Sequence, residues 1–230
     1  MYISVRKQIP NLFTLGNLTC GVLAILSIFN EELKTATLLV ILAAVLDFFD
    51  GFLARLLKVS GELGKQLDSL ADLVTFGVAP SFMLWALSPS VQGNARYLFL
   101  ALAIFSAYRL AKFNVDTRQT SSFIGVPTPV TGLMCMSWAW IDEGYRSYIF
   151  ENSWSFGAFC VLVSYLLVSE IRLPSLKLKK GPLRNYAQHI VLLAIGLISL
   201  LLWGWLCIPI FYAAYVLSSI IVSFAPKKSK

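Results

Sequence analysis

Four aspartates, Asp47, Asp50, Asp68 and Asp72, fall within one short stretch, DFFDGFLARLLKVSGELGKQLDSLAD, of a chain that is 57% hydrophobic. An ionisable group in so apolar a setting is costly unless it is partnered and useful. These four therefore mark a candidate active site or ion site. On a helix turning about 100° per residue, Asp50, Ala54, Asp47, Gly51 and Arg55 occupy roughly 140° of arc. One face then carries two acids, two small residues and a guanidinium. By the same arithmetic Gly61, Gly64, Asp68 and Asp72 lie within roughly 80° of one another, so a second face carries two acids over a strip with no side-chain bulk. Two helices set face to face would bring all four acids together.

Clustered carboxylates repel one another unless cations sit among them. No His or Cys lies near the stretch, and an all-oxygen set suits hard ions such as Mg²⁺ or Mn²⁺, which bridge substrate phosphates. A pair of ions here would clamp a diphosphate. Gly51, Ala54, Gly61 and Gly64 would let that ligand approach the backbone, and Arg55 could take a phosphate in a forked pair of hydrogen bonds. The rival readings are an ion pathway or proton relay in a transporter, and small-residue helix packing with incidental acids. Neither needs the arginine or this number of acids.

The pattern D-x-x-D-G-x-x-A-R, eight residues, then G-x-x-x-D-x-x-x-D is met at every fixed position from Asp47 to Asp72. It resembles the signature of the CDP-alcohol phosphotransferase family, and eight fixed positions make a far stronger signal than a lone glycine motif. The resemblance implies transfer of a phosphatidyl or similar group from a CDP-linked donor to an alcohol, with release of CMP. It further implies that Asp47, Asp50, Asp68 and Asp72 hold two divalent ions, with Asp47 and Asp68 bridging both. Gly51, Ala54, Arg55 and Gly64 would line the CDP and diphosphate slot. Asp72 is the candidate general base.

The elements that must position these residues are membrane helices. With 13% charged residues the chain reads as all-α, a polytopic membrane bundle forming one domain over residues 1–230. Eight apolar segments can be drawn, at 12–29, 35–57, 67–87, 95–113, 126–141, 154–168, 187–203 and 206–224. The fifth and sixth are short for a span of about 20 residues. With the N-terminus in the cytoplasm, sixteen of the nineteen Lys and Arg fall on the inner side, leaving Lys34, Arg96 and Arg146 outside. That bias is what the positive-inside rule expects of eight spans with both termini inside. The net charge of +7 then requires no nucleic acid. Asp47 lies roughly 18 Å along the second helix, past the middle of a core about 30 Å thick, so the acids belong to the cytoplasmic half. Arg6 and Lys7 precede an apolar run without a small-residue cleavage site, which reads as a span and not as a secretory signal. Cys20, Cys135, Cys160 and Cys207 stand singly in apolar runs and read as buried filler, with no disulfide or zinc site implied.

Two further stretches bear on the site. In PNLFTLGN, Thr14 and Asn17 sit at helical spacing and could bond a cytosine or ribose, against a plain capping or packing role; the family's first helix contacts the donor, which favours the former. In YRLAKFN, Arg109 and Lys112 share a face, which is either basic anchoring at the inner surface or a receptor, with Asn114, for the acceptor's anionic group. Together PNLFTLGN, LDSLADLVTFGVAP, RLAKFN and GVPTP resemble the phosphatidylserine synthase branch of the family, where R-L-A-R-F-N is frequent and Lys112 replaces the second arginine. What that branch implies is transfer from CDP-diacylglycerol to L-serine, in a membrane-embedded homodimer whose active site faces the cytoplasm. Another acceptor such as glycerol 3-phosphate or inositol phosphate, an archaeal lipid donor, or an ion-coupled transporter are the alternatives. Beyond Pro129 the Trp138/Trp140 pair, the Lys177–Lys180 run, His189 and the basic tail read as packing, interfacial anchoring and topology.

Overall fold

The structure, a computed structural model, describes residues 5–59, 61–115, 123–173, 199–202 and 204–224. Its first two helices, α1 (Val5–Phe29) and α2 (Leu33–Leu56), form a tight hairpin. The connection between them is only a few residues long, with Glu31 in the left-handed region at φ 63°, so the apolar runs on either side must lie side by side. A second sharp turn leads to α3 (Glu62–Asp72). It closes α2 with a paired C-terminal motif in which the Val59 N–H donates to the Ala54 carbonyl at 3.0 Å and the Lys58 N–H to the Arg55 carbonyl at 3.2 Å. Lys58 itself sits at φ 53°, a position usually filled by glycine.

Below Asp72 the helix widens into a π-helical stretch, Leu73–Val78, before narrowing again as α4 (Ala79–Ala86). Pro80 supplies a reason: it has no N–H to return to the Phe76 carbonyl one turn back, so the ladder is already broken there. Neighbouring helices grip this stretch. Gly132 packs so close that a Cβ on it would come within 2.7 Å of the Phe76 carbonyl oxygen, and Thr75 Oγ1 donates to the Asn17 carbonyl of α1 at 3.2 Å.

A 3₁₀ turn, Gly93–Phe99, runs into α5 (Leu100–Val115). A two-residue strand, Phe123–Ile124, then pairs antiparallel with Arg172–Leu173, the only departure from helix pairing among the described residues. Between those strands lie α6 (Thr128–Ser137), a 3₁₀ turn at Trp138–Trp140, α7 (Glu143–Phe150) and α8 (Ser153–Val168). Asp142 caps α7 by accepting from the Gly144 N–H at 2.9 Å, and Asn152 caps α8 by accepting from the Trp154 N–H at 2.8 Å. The caps allow a break, and the two helices meet at 86°. A short turn, Gly204–Leu206, precedes α9 (Cys207–Phe224).

Five helical stretches of the described residues are long and apolar enough to cross a membrane: Gln8–Phe29, Leu33–Leu56, Glu62–Ala86, Gly93–Val115 and Gly204–Ile221. The bent pair α7 and α8 would make a sixth. The multi-pass helical architecture expected from sequence is therefore present, with fewer clear spans than the eight drawn. The segment drawn at 126–141 is a ten-residue helix with a 3₁₀ extension, and most of α6 is buried against α2, α4, α9 and the π stretch. Seven of its ten residues are buried within the bundle, while Val130 is exposed. The segment at 187–203 lies mostly outside the described residues, as do the Lys177–Lys180 run, His189 and the basic tail. Cys20, Cys135, Cys160 and Cys207 are all free, the first three buried.

Candidate active site

The two sharp turns decide what faces what. Folding α2 back along α1, and packing α3 against α1 as well, brings together the two acidic strips that sequence spacing drew on separate helices. Oxygens of Asp47, Asp50 and Asp68 converge so that all lie within 4.8 Å of one another. Asp72 is outside that trio but close enough to interact with Asp47. No Lys or Arg forms an ion pair with any of the four among the described residues, where the sole such pair joins Lys112 to Glu170 at 3.5 Å.

Two side chains of α1 orient the acids. Thr14 Oγ1 donates to Asp50 Oδ2 at 2.6 Å, and Asn17 Nδ2 donates to Asp72 Oδ1 at 3.3 Å. Both are buried, and the Oδ1 of Asn17 has no partner among the described residues. Each thus fixes a carboxylate, a role the sequence reading did not give them when it set them against a nucleotide. Thr14 also lines the cavity described next; Asn17 lies deeper.

That cavity, about 260 Å³, opens between the three helices. Asp50 and Asp68 stand in its wall with Gly51, Ala54, Arg55, Gly61 and Gly64, so every residue assigned from sequence to a diphosphate slot on α2 and α3 borders one space. The glycines matter by what is missing above them. A Cβ on Gly61 would meet nothing within 4 Å, and one on Gly64 would reach only Asn11 Oδ1 at 3.4 Å. The protein's own packing does not fill the space above either position, so the bare strip leaves room for a ligand. On Gly51 the nearest atom would be Arg55 Nη1, also at 3.4 Å, so the guanidinium lies over that glycine.

Pro10, Asn11, Val59 and Lys65 complete the wall and were missed from sequence. Lys65 had a signal, since helical arithmetic puts it on the strip of Gly61, Gly64 and Asp68. It donates to the Asn114 carbonyl at 2.7 Å.

The three acceptor candidates separate. Arg109 is buried, its charge acts on Asp72, and its Nη1 donates to Thr128 Oγ1 at 3.1 Å. Lys112 points to the rim, where Glu170 holds it. Asn114 uses its amide to tie α5 to α3, donating to Ser69 Oγ at 2.9 Å and Gln66 Oε1 at 3.4 Å. Of the three, only Arg109 is buried, and Asp72 is near enough to act on its charge.

The donor set suits a hard divalent ion. Three carboxylates with oxygens inside 4.8 Å, no basic partner and no sulfur or imidazole nearby match the oxygen coordination of Mg²⁺ or Mn²⁺. The geometry can therefore gather cations beside a cavity whose floor is free of side chains and whose mouth carries Arg55 and Lys65.

Comparison with known proteins agrees with this chemistry. A sequence profile of the CDP-alcohol phosphatidyltransferase family matches residues 7–167. The chain is 38% identical over 172 residues to a CDP-diacylglycerol–serine O-phosphatidyltransferase of Bacillus subtilis, covering 74% of this chain and 92% of that protein. It is 33% identical over 198 residues to the enzyme of the same name from Helicobacter pylori, covering 85% and 84%. An archaetidylserine synthase of Methanothermobacter thermautotrophicus is 32% identical over 173 residues, 72% of this chain and 69% of that protein. With more than half its length inside the matched region, and with Asp47, Asp50 and Asp68 converging beside one cavity, the chain belongs to the CDP-alcohol phosphatidyltransferase family.

Proposed function

We propose that the protein transfers the phosphatidyl group of CDP-diacylglycerol to the hydroxyl of L-serine, giving phosphatidylserine and CMP. The observation that carries this reading is the convergence of Asp47, Asp50 and Asp68 beside a cavity floored by Gly51, Ala54, Gly61 and Gly64. The relatives named for serine transfer support the choice of acceptor.

Asp47, Asp50, Asp68 and Asp72 would hold two divalent ions, Mg²⁺ or Mn²⁺. When bound, such ions supply charge neutralisation for the diphosphate and for the phosphate that leaves with CMP. The chain's own residues do the rest. The bare strip of α3 and the small residues of α2 admit the diphosphate, and Arg55 over Gly51 is placed to bond it. Asp72, held by Asn17, takes the proton from the serine hydroxyl. That oxygen bonds to the lipid-side phosphorus as the bond from phosphorus to the CMP oxygen breaks. Arg109, buried opposite Asp72, receives the serine carboxylate. Displacement of this kind asks for positioning and charge neutralisation, so no Ser or Cys nucleophile is required.

The donor's tails would stay in the bilayer while its nucleotide reaches the cytoplasmic side, in an eight-span bundle with both termini inside that forms a homodimer. The archaetidylserine synthase among the relatives favours one second reading, the same chemistry on an ether-lipid donor. Purified protein given CDP-diacylglycerol or its ether analogue with Mg²⁺ or Mn²⁺, and serine, glycerol 3-phosphate or inositol in parallel, tests all of these by CMP release. Serine-dependent release abolished by chelation is expected. Release that ignores serine, or none at all with either donor, overturns the reading.

A further inference from the structure

A buried guanidinium is worth its desolvation only when its donors are met. Among the described residues Arg109 has one hydrogen-bond partner: Nη1 donates to Thr128 Oγ1, while Nε has none. The two ends of a guanidinium differ. Nε together with Nη2 forms the side-on edge that grips a carboxylate through two parallel bonds. Thr128 engages the other end, so its hydroxyl fixes the rotation of the group and leaves the side-on edge turned away from itself.

Thr128 is in turn held with little freedom. It is fully buried at the first turn of α6, between Pro127 and Pro129, whose rings fix their own φ angles. Just upstream the backbone is tied to the end of α8, where the Val126 N–H donates to the Leu166 carbonyl at 3.2 Å and the Gly125 N–H to the Ile171 carbonyl at 3.0 Å. Gly125 has φ 74°, and a Cβ there would come within 2.5 Å of the Leu167 carbonyl oxygen. Only glycine allows this approach, and it delivers Thr128 to Arg109 at a fixed height.

We propose that Thr128 is a positioning residue that aims the side-on edge of Arg109 at the carboxylate of the acceptor, and so makes the enzyme select a carboxylate-bearing alcohol. This rests on the serine-transfer reading and adds a specificity determinant to it.

The test compares Thr128→Val, which keeps the shape and removes the hydroxyl, with Thr128→Ala and Thr128→Ser, in mixed micelles with each substrate varied at saturating levels of the other. For T128V and T128A the serine KM should rise roughly tenfold, equivalent to about 1.4 kcal/mol, with the CDP-diacylglycerol KM unchanged. Preference for serine over ethanolamine, which lacks the carboxylate, should fall by the same factor. T128S should restore both. An unchanged serine KM in T128V, or a CDP-diacylglycerol KM that moves equally, overturns the proposal. So does failure of both T128V and T128A to accumulate as folded protein, which assigns the hydroxyl to folding. Absence of phosphatidylserine formation by the unaltered protein overturns the serine reading instead, and is seen before any variant is made.

Discussion

Thr14 and Asn17 each direct a proton at an aspartate, and that small fact ranks the acids. Asp50 receives a short bond from a hydroxyl and belongs to the trio whose oxygens converge. Asp72 receives a longer one from an amide and stands beside the trio, where its second oxygen can serve another purpose. The difference fits a set of four cation ligands in which Asp72 alone also moves a proton. Replacing Asp72 by Asn keeps the shape and the size while removing the base, so turnover should fall by about 10²-fold or more. Binding of CDP-diacylglycerol, measured by a direct assay such as protection against thermal unfolding, should persist. Turnover near the unaltered rate would remove Asp72 from the mechanism. At this scale the aspartates were readable because their spacing alone put them on two helical faces. The partners on α1 were not, since whether a threonine bonds a nucleotide or a neighbouring acid depends on which helix packs against it.

The turn between α2 and α3 sets how the acidic faces meet, and it does so with an unfavourable residue at its apex. Lys58 holds a left-handed backbone that costs a residue with a Cβ about 1 kcal/mol or more, part of which glycine would return in lost flexibility of the unfolded chain. Lys58→Gly should therefore stabilise the protein by roughly 0.5–1 kcal/mol, seen as a higher unfolding midpoint in detergent. A lower midpoint would mean that the lysine side chain contributes more than its backbone costs. Helices α1, α2, α5 and α9 and the span through α3 and α4 were legible as apolar runs. The fifth segment drawn holds only ten α-helical residues because its end tightens into a 3₁₀ turn at Trp138–Trp140, which an apolar run does not show. The right-angle break between α7 and α8 falls at the cap Asn152, which no hydrophobicity pattern registers.

Seen whole, the molecule has two unlike ends. Leu33, Pro89, Glu143 and Arg146 border one shallow pocket, and nearby Lys34 lies 5.2 Å from the centre of the Trp140 ring and Arg96 4.9 Å from that of Trp85. Thus two of the three basic residues expected outside, Lys34 and Arg96, lie against tryptophan rings, as suits a membrane interface. The cavity, Lys65, Lys112 and the ties from α5 to α3 and to the segment after α8 form the opposite end. A thiol introduced by Tyr148→Cys should then react with a membrane-impermeant reagent added to intact cells, and one introduced by Glu62→Cys only after the membrane is opened. The reverse pattern would place the acids outside. Charge counting along the sequence expects the first pattern, with the acids on the cytoplasmic side.

The widened turn after Asp72 carries a last consequence. A π turn holds one more residue than the α turn it replaces, and each residue added to or removed from a helix swings everything beyond it by about 100°. Losing one residue between Leu73 and Val78 would thus leave the signature intact letter for letter while rotating Asp68 and Asp72 away from Asp47, if α4 kept its seat against α6. Here the number of residues is as much a part of the catalytic apparatus as their identity.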